Sequence, residues 1–174
     1  MSSLEQLAYP IGRFAYDEAE AVRDHLTLLR KLIDFPGKLH QFLEGVHPAA
    51  LESTYRPEGW NARQVIHHLF DSHTHAYMRF KWALTEENPS ILPYDEQKFA
   101  LLSDYSIPVE VALNGLDVVH RKWGVILENM EESDWKKTYF HTGYSKSFEL
   151  RYALSMYVWH SSHHFEHIRL CLKP

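Results

Sequence analysis

The chain has 174 residues, 45% of them hydrophobic and 14% aromatic, a composition that supports one folded core and leaves little room for disorder or low complexity. Its formal net charge of −5 and the lack of any run of Lys and Arg argue against a nucleic-acid partner, because phosphate binding draws on clustered cations. Cys171 is the sole cysteine, so a disulfide framework and a cysteine-rich zinc ribbon are both excluded, and any metal must rest on histidine and carboxylate.

The opening MSSLEQLAYPIGRF has no secretory pattern, and no run of about 18 apolar residues occurs. The expectation is a cytoplasmic protein without a membrane partner, forming one domain over 1–174. Val22, Leu26, Leu29, Leu32, Ile33, Leu39 and Leu43 predict a first helix from Asp17 to Gly45, kinked or interrupted at Pro36-Gly37. Asn61 with Gln64 three residues on forms a capping box that starts a second helix, running to Thr85. ENPSILPYDEQKF follows, and Pro89 and Pro93 make it a long loop with aromatic anchors, a length at which loops tend to carry function.

Pro108 suits the first turn of a third helix, and Val111, Leu113, Leu116, Val119, Trp123, Ile126, Leu127 and Met130 carry its apolar side to about Glu132. TYFHTGYSKS, 138–147, reads as a short hairpin or irregular crossover. A last helix runs from about Phe148 to Leu172. The fold class is all-α: a four-helix up-down-type bundle with a hairpin or crossover before the last helix, in which functional groups project inward.

Histidines concentrate on two of these helices. His160 and His164 are four apart, about 40° around the axis, so both imidazoles leave the same side; His163 and His167 form a competing pair. On the second helix His68, Asp71, Ser72 and His75 share a side, but periodicity does not choose between His67 and His68. A single buried histidine is most simply a hydrogen-bonded core residue. Several on one core-facing side occupy places where Leu would stabilise more, and a shared cation satisfies them together. Two from one helix and one from a facing helix make the three-histidine set that catalytic zinc sites use while keeping a position open.

Asp71, one turn after His68, could orient a ligand imidazole, bind the metal or take a proton from water. Trp60, Tyr77, Tyr157 and Trp159 read as packing residues, and Cys171 as a small apolar filler. Arg79 and Arg151 pair with carboxylates, or hold an anionic substrate if they face a pocket.

YPIGRF, YRPEGWNARQVIHHLFDSHTHAYMRFKWALTEENPSILPYDE and YVWHSSHHFEHI together resemble the DinB/YfiT-like four-helix-bundle proteins, specifically the YfiT branch of metal-dependent hydrolases that is also associated with bacillithiol S-transferase activity. The resemblance extends over nearly the whole chain. It implies His68 as a ligand, the histidine just before Leu in HL-x-D, and His160 and His164 as the H-x-x-x-H pair that begins after Trp. His163 and His167 then become packing or outer partners. It further implies a homodimer with one divalent ion, zinc or nickel, per subunit.

Three functions follow from such a site. The first is hydrolysis of a small molecule by water that the ion makes acidic, although no HExxH or similar base-bearing motif is present. The second is transfer of a low-molecular-weight thiol to an electrophile, which needs no protein nucleophile. The third is a non-enzymatic stress-response protein in which the ion only staples helices; structural zinc usually has four protein ligands, and three are identified here.

Overall fold

The structure, a computed structural model, describes residues 3–173. A short helix α1 (Ser3–Ala8) precedes the bundle. The first predicted helix is three consecutive pieces, α2 (Glu18–Arg23), α3 (His25–Ile33) and α4 (Phe35–Leu43). Asp17 caps α2, its side chain accepting from the Glu20 amide at 3.0 Å. The later joint falls at Asp34, ahead of the predicted Pro36-Gly37, and Pro36 occupies the first turn of α4. A proline there sacrifices no intrahelical bond, whereas within a continuous helix its ring would strike the carbonyl four residues back.

Helix α5 (Ala62–Thr85) starts on the expected capping box, the Asn61 side chain accepting from the Gln64 amide at 2.8 Å and the Gln64 side chain accepting from the Asn61 amide at 3.1 Å. The following connection is better ordered than its prolines suggest. It contains β1 (Ser90–Ile91) and a one-turn helix α6 (Glu96–Phe99). Helix α7 (Val109–Glu128) has Pro108 just before its first turn and ends four residues short of Glu132. There the Asp134 carboxylate accepts from the Glu131 amide at 3.0 Å and starts a new tight turn. β2 (Thr138–His141) and β3 (Lys146–Glu149) form the predicted hairpin, with Phe140 opposite Ser147. The second strand runs on to Glu149, so α8 (Leu150–Cys171) begins two residues later than Phe148. β1 joins β2 in parallel, Ser90 beside Phe140, and ties the α5–α7 connection to the hairpin.

Four long positions make a bundle: α3 with α4, then α5, α7 and α8. The principal contacts are α5 with α7 and α8, and α3 with α7 and α8. Of the helices that follow one another in sequence, α4 and α5, and α7 and α8, therefore lie across the diagonal, whereas α5 and α7 are neighbours despite the connection 86–108. The apolar core falls into two clusters. Leu32, Phe80, Trp123, Leu150 and Leu154 fill one end, and Leu39, Ile66, Leu69, Leu116 and Ile168 the other. Between them runs a belt of buried polar side chains: Ser72 and His73 on α5, His120 on α7, His164 and His167 on α8. Among the described residues no helix is long and apolar enough to cross a membrane.

Candidate metal centre

Adjacency of α5 and α8 brings the two histidine groups together. Nε2 of His68 lies 3.2 Å from Nε2 of His160, and the His164 ring is 4.8 Å from His68 and 4.4 Å from His160, centroid to centroid. One ring nitrogen from each falls within 4.8 Å of the others. Two nitrogens bound to one zinc at about 2.0–2.1 Å stand roughly 3 Å apart, so the His68–His160 separation already matches the edge of a coordination shell. The donor set and its spacing fit a divalent ion.

His163, His164 and His167 also bring three nitrogens within 4.8 Å, but all three come from α8. His163 stacks on Trp159 at 4.5 Å and His167 on Tyr55 at 3.9 Å, while Nδ1 of His167 faces Nδ1 of His164 at 3.3 Å. These two rings are thus held between aromatic neighbours on α8 and the 53–61 segment. The histidine left open on α5 is resolved by burial partners: Nε2 of His67 donates to the Ile107 carbonyl at 3.2 Å, and its ring packs on Tyr105.

Burial, with a smaller push from His163, lowers the His68 pKa to about 4. Burial also holds His160 and His164 well below the ordinary histidine value, each further depressed by its imidazole neighbours. Near neutral pH all three are uncharged, the form that offers a lone pair.

Behind the triad lies a pair that sequence reasoning did not single out. His120 donates from Nδ1 to the Leu32 carbonyl at 2.8 Å, which fixes its tautomer and leaves Nε2 to accept from Nδ1 of His73 at 2.7 Å. Nε2 of His73 is then a bare acceptor without a partner among the described residues; Nδ1 of His160, which carries the proton when Nε2 is the one offered in the triad, is likewise unpartnered, and the two rings are 5.6 Å apart. The sequence signal was available, since His73 and His120 occupy core-facing positions flanked by Leu69, Ala76, Leu116 and Trp123.

Asp71 is not brought to the triad. A residue three after His68 is rotated by about 60° to one side, and the Asp71 carboxylate accepts from the Tyr105 hydroxyl at 2.7 Å instead. Burial raises its pKa, and the tyrosine opposes that.

The triad opens onto a cavity of about 1040 Å³. Trp60, 4.9 Å from the His68 ring, and Trp159 stand beside the histidines. Tyr94, Tyr139, Tyr157 and Arg79 continue the wall away from them, with Glu58, Glu96 and Lys146 exposed at the rim. Tyr157 and Trp159, expected as packing residues, thus also line this space. Of the two arginines considered, Arg151 pairs with Glu132, whereas Arg79 faces the cavity.

Residues 32–168 match the family model of the DinB superfamily. Proteins named "Putative metal-dependent hydrolase" are similar to this chain: one from Bacillus cereus (strain B4264) is 41% identical over 167 residues, and one from Bacillus anthracis (strain CDC 684 / NRRL 3495) is 40% identical, each alignment covering 95% of both chains. Among solved structures, YfiT from Bacillus subtilis, described as a probable metal-dependent hydrolase with an unusual four-helix bundle topology, is 36% identical with a TM-score of 0.90 over 95% of both chains.

Proposed function

Because the chain belongs to the DinB superfamily, we propose that it is a metal-dependent hydrolase of a small molecule, with one divalent ion, zinc or nickel, held by His68, His160 and His164. The observation that carries this reading is the convergence of three neutral imidazoles from two helices at the head of a cavity. When bound, such an ion supplies Lewis acidity at its open positions, making a water or a thiol there more acidic.

The surrounding residues have definable parts. His164, if it presents Nε2 to the ion, carries its proton on Nδ1 and donates it to Nδ1 of His167. His167 then keeps its own proton on Nε2, which is buried without a hydrogen-bond partner among the described residues, while the nearby backbone of Ala8 and Leu7 favours the protonated ring. The rings of Trp60 and Trp159 cover the approach to the triad and restrict water there.

A thiol S-transferase reading is favoured by one observation. Asp71 is turned to Tyr105, and Glu58 and Glu96 are exposed at the rim, so among the described residues no carboxylate stands at the triad to receive a proton from water. A thiol that enters as thiolate needs none.

The test is to reconstitute the protein with zinc or nickel and assay it against esters, amides and lactones. A parallel set offers bacillithiol together with chlorodinitrobenzene or an epoxide. Turnover without thiol supports hydrolysis, and turnover only with thiol supports transfer. His160→Ala should lose the metal, and full retention overturns the ligand assignment. If every triad variant unfolds and no turnover is found, the ion is a staple and the enzymatic reading falls.

A further inference from the structure

Arg79 sits eleven residues beyond His68 on α5, three turns on and within about 20° of the same stripe. It is 7% exposed and lines the cavity. Nη1 donates to the Tyr157 hydroxyl at 3.0 Å, and the buried Nε has no partner. Among the described residues no carboxylate lies within 4.0 Å of it. Arg151, equally buried, has Glu132. A buried guanidinium without an anion is costly to keep, and the stability of the bundle does not call for one here, where Leu or Met would fill the space.

We propose that Arg79 binds a carboxylate of the substrate, so that the site is built for a small carboxylic acid whose reacting group lies on the order of 10 Å from that carboxylate. The length follows from Tyr157, whose hydroxyl accepts from Arg79 at 3.0 Å and whose ring centroid is 5.9 Å from that of His160, so one tyrosine spans the gap between guanidinium and triad. Only the position of the reacting group rests on the metal-dependent reading; the anion subsite stands on Arg79 itself. A carboxylate matches one guanidinium in charge and accepts two parallel N–H bonds from it. A phosphate dianion would leave charge uncompensated at Arg79, because of the two other cations that line the cavity Arg56 lies over Tyr55, beside His167, and Lys146 is exposed at the rim. Tyr157 accepts from Arg79 and so keeps its own proton for the ligand, while Tyr94 and Tyr139, beside the same guanidinium, offer hydroxyls along the path. The aromatic walls suit an apolar body between the two ends.

The test uses metal-free protein at about pH 8, where imidazoles are neutral, and calorimetric titration with 3-phenylpropionate, 3-phenylpropionamide and 2-phenylethylphosphonate. The acid should bind at least about 10-fold tighter than the amide. Arg79→Gln should bring the acid down to the affinity of the amide, and Arg79→Lys should fall between. Equal binding of acid and amide by the wild type overturns the proposal. A preference that survives Arg79→Gln also overturns it, placing the anion at the rim, and a phosphonate that binds tighter than the acid removes the carboxylate assignment. Should Arg79→Gln not fold, the acid-to-amide ratio of the wild type and of Arg79→Lys decides. Zinc uptake is measured separately, and Arg79→Gln should retain it. Wild type that discriminates acid from amide but takes up no zinc sinks the metal reading alone, while zinc uptake without discrimination sinks this one alone.

Discussion

Acid should unfold this protein through its buried histidines, and His120 is the one whose share can be isolated. Burial lowers its pKa from 6.5 to about 4, against the opposing pull of the Leu32 carbonyl. As pH falls the unfolded chain takes up the proton first, so the stability tied to neutral His120 is fully present above its unfolded value and is lost as pH falls toward 4. At about 1.4 kcal/mol per pH unit the whole loss is roughly 3 kcal/mol, and about 2 kcal/mol of it has gone by pH 5. His120→Gln keeps an amide N–H for Leu32 or an oxygen for His73 but has no proton to gain. Urea unfolding of metal-free wild type and variant, followed by circular dichroism between pH 8 and pH 5, should therefore show the wild type's advantage shrinking by about 2 kcal/mol. Contributions from histidines away from His120 are common to both proteins and cancel, and His73, which touches it, is held low chiefly by burial, which the variant keeps. Two stability curves that run parallel across this range would refute the assignment of His120 as a neutral, buried proton acceptor.

Asn61→Ala removes the side-chain half of the α5 cap, leaving the backbone amide of residue 61 to the Gln64 side chain, and should cost about 1 kcal/mol in chemical denaturation. Asp71→Asn should leave zinc or nickel stoichiometry unchanged, since its carboxylate faces Tyr105. Tyr105→Phe should lower stability by about 1–3 kcal/mol by stranding that carboxylate, and a loss of metal in either variant would return Asp71 to the site. Gly115→Ala places a methyl group 2.6 Å from the Phe70 ring. Overpacking of about 1–3 kcal/mol outweighs the roughly 1 kcal/mol gained in helix propensity, so the melting temperature should fall by about 2–4 °C, with Phe70→Leu restoring it in the double variant.

Much of this arrangement was readable from local chemistry. The capping box announced the start of α5, and the aromatic-flanked Gly143 announced the hairpin. The four-residue spacing of His160 and His164 placed two imidazoles on one side of α8. Other features depend on what each helix meets across the bundle, which periodicity does not carry. His67 and His68 are equally central in sequence, and only the neighbouring Ile107 carbonyl separates one from the other. Asp71 turns to the hydroxyl of Tyr105, which the 103–106 turn brings beside it. β1 is two residues long, so no alternation could reveal it. Arg79 was legible in one respect: its spacing from His68 returns it to the same stripe, a periodicity usually looked for only among apolar residues.

The small sheet has a consequence for how such a protein can diversify. By stitching the α5–α7 connection to the hairpin ahead of α8, it gathers the rim of the cavity into one unit, which contributes Pro93, Tyr94, Gly143 and Tyr144 to the entrance, while the imidazoles belong to the helices beneath. Exchange of this rim as a block, both connections together, would alter which molecules are admitted and leave the chemistry underneath intact. Replacing either connection alone would unpair β2 and cost order at the doorway before any new preference could be read.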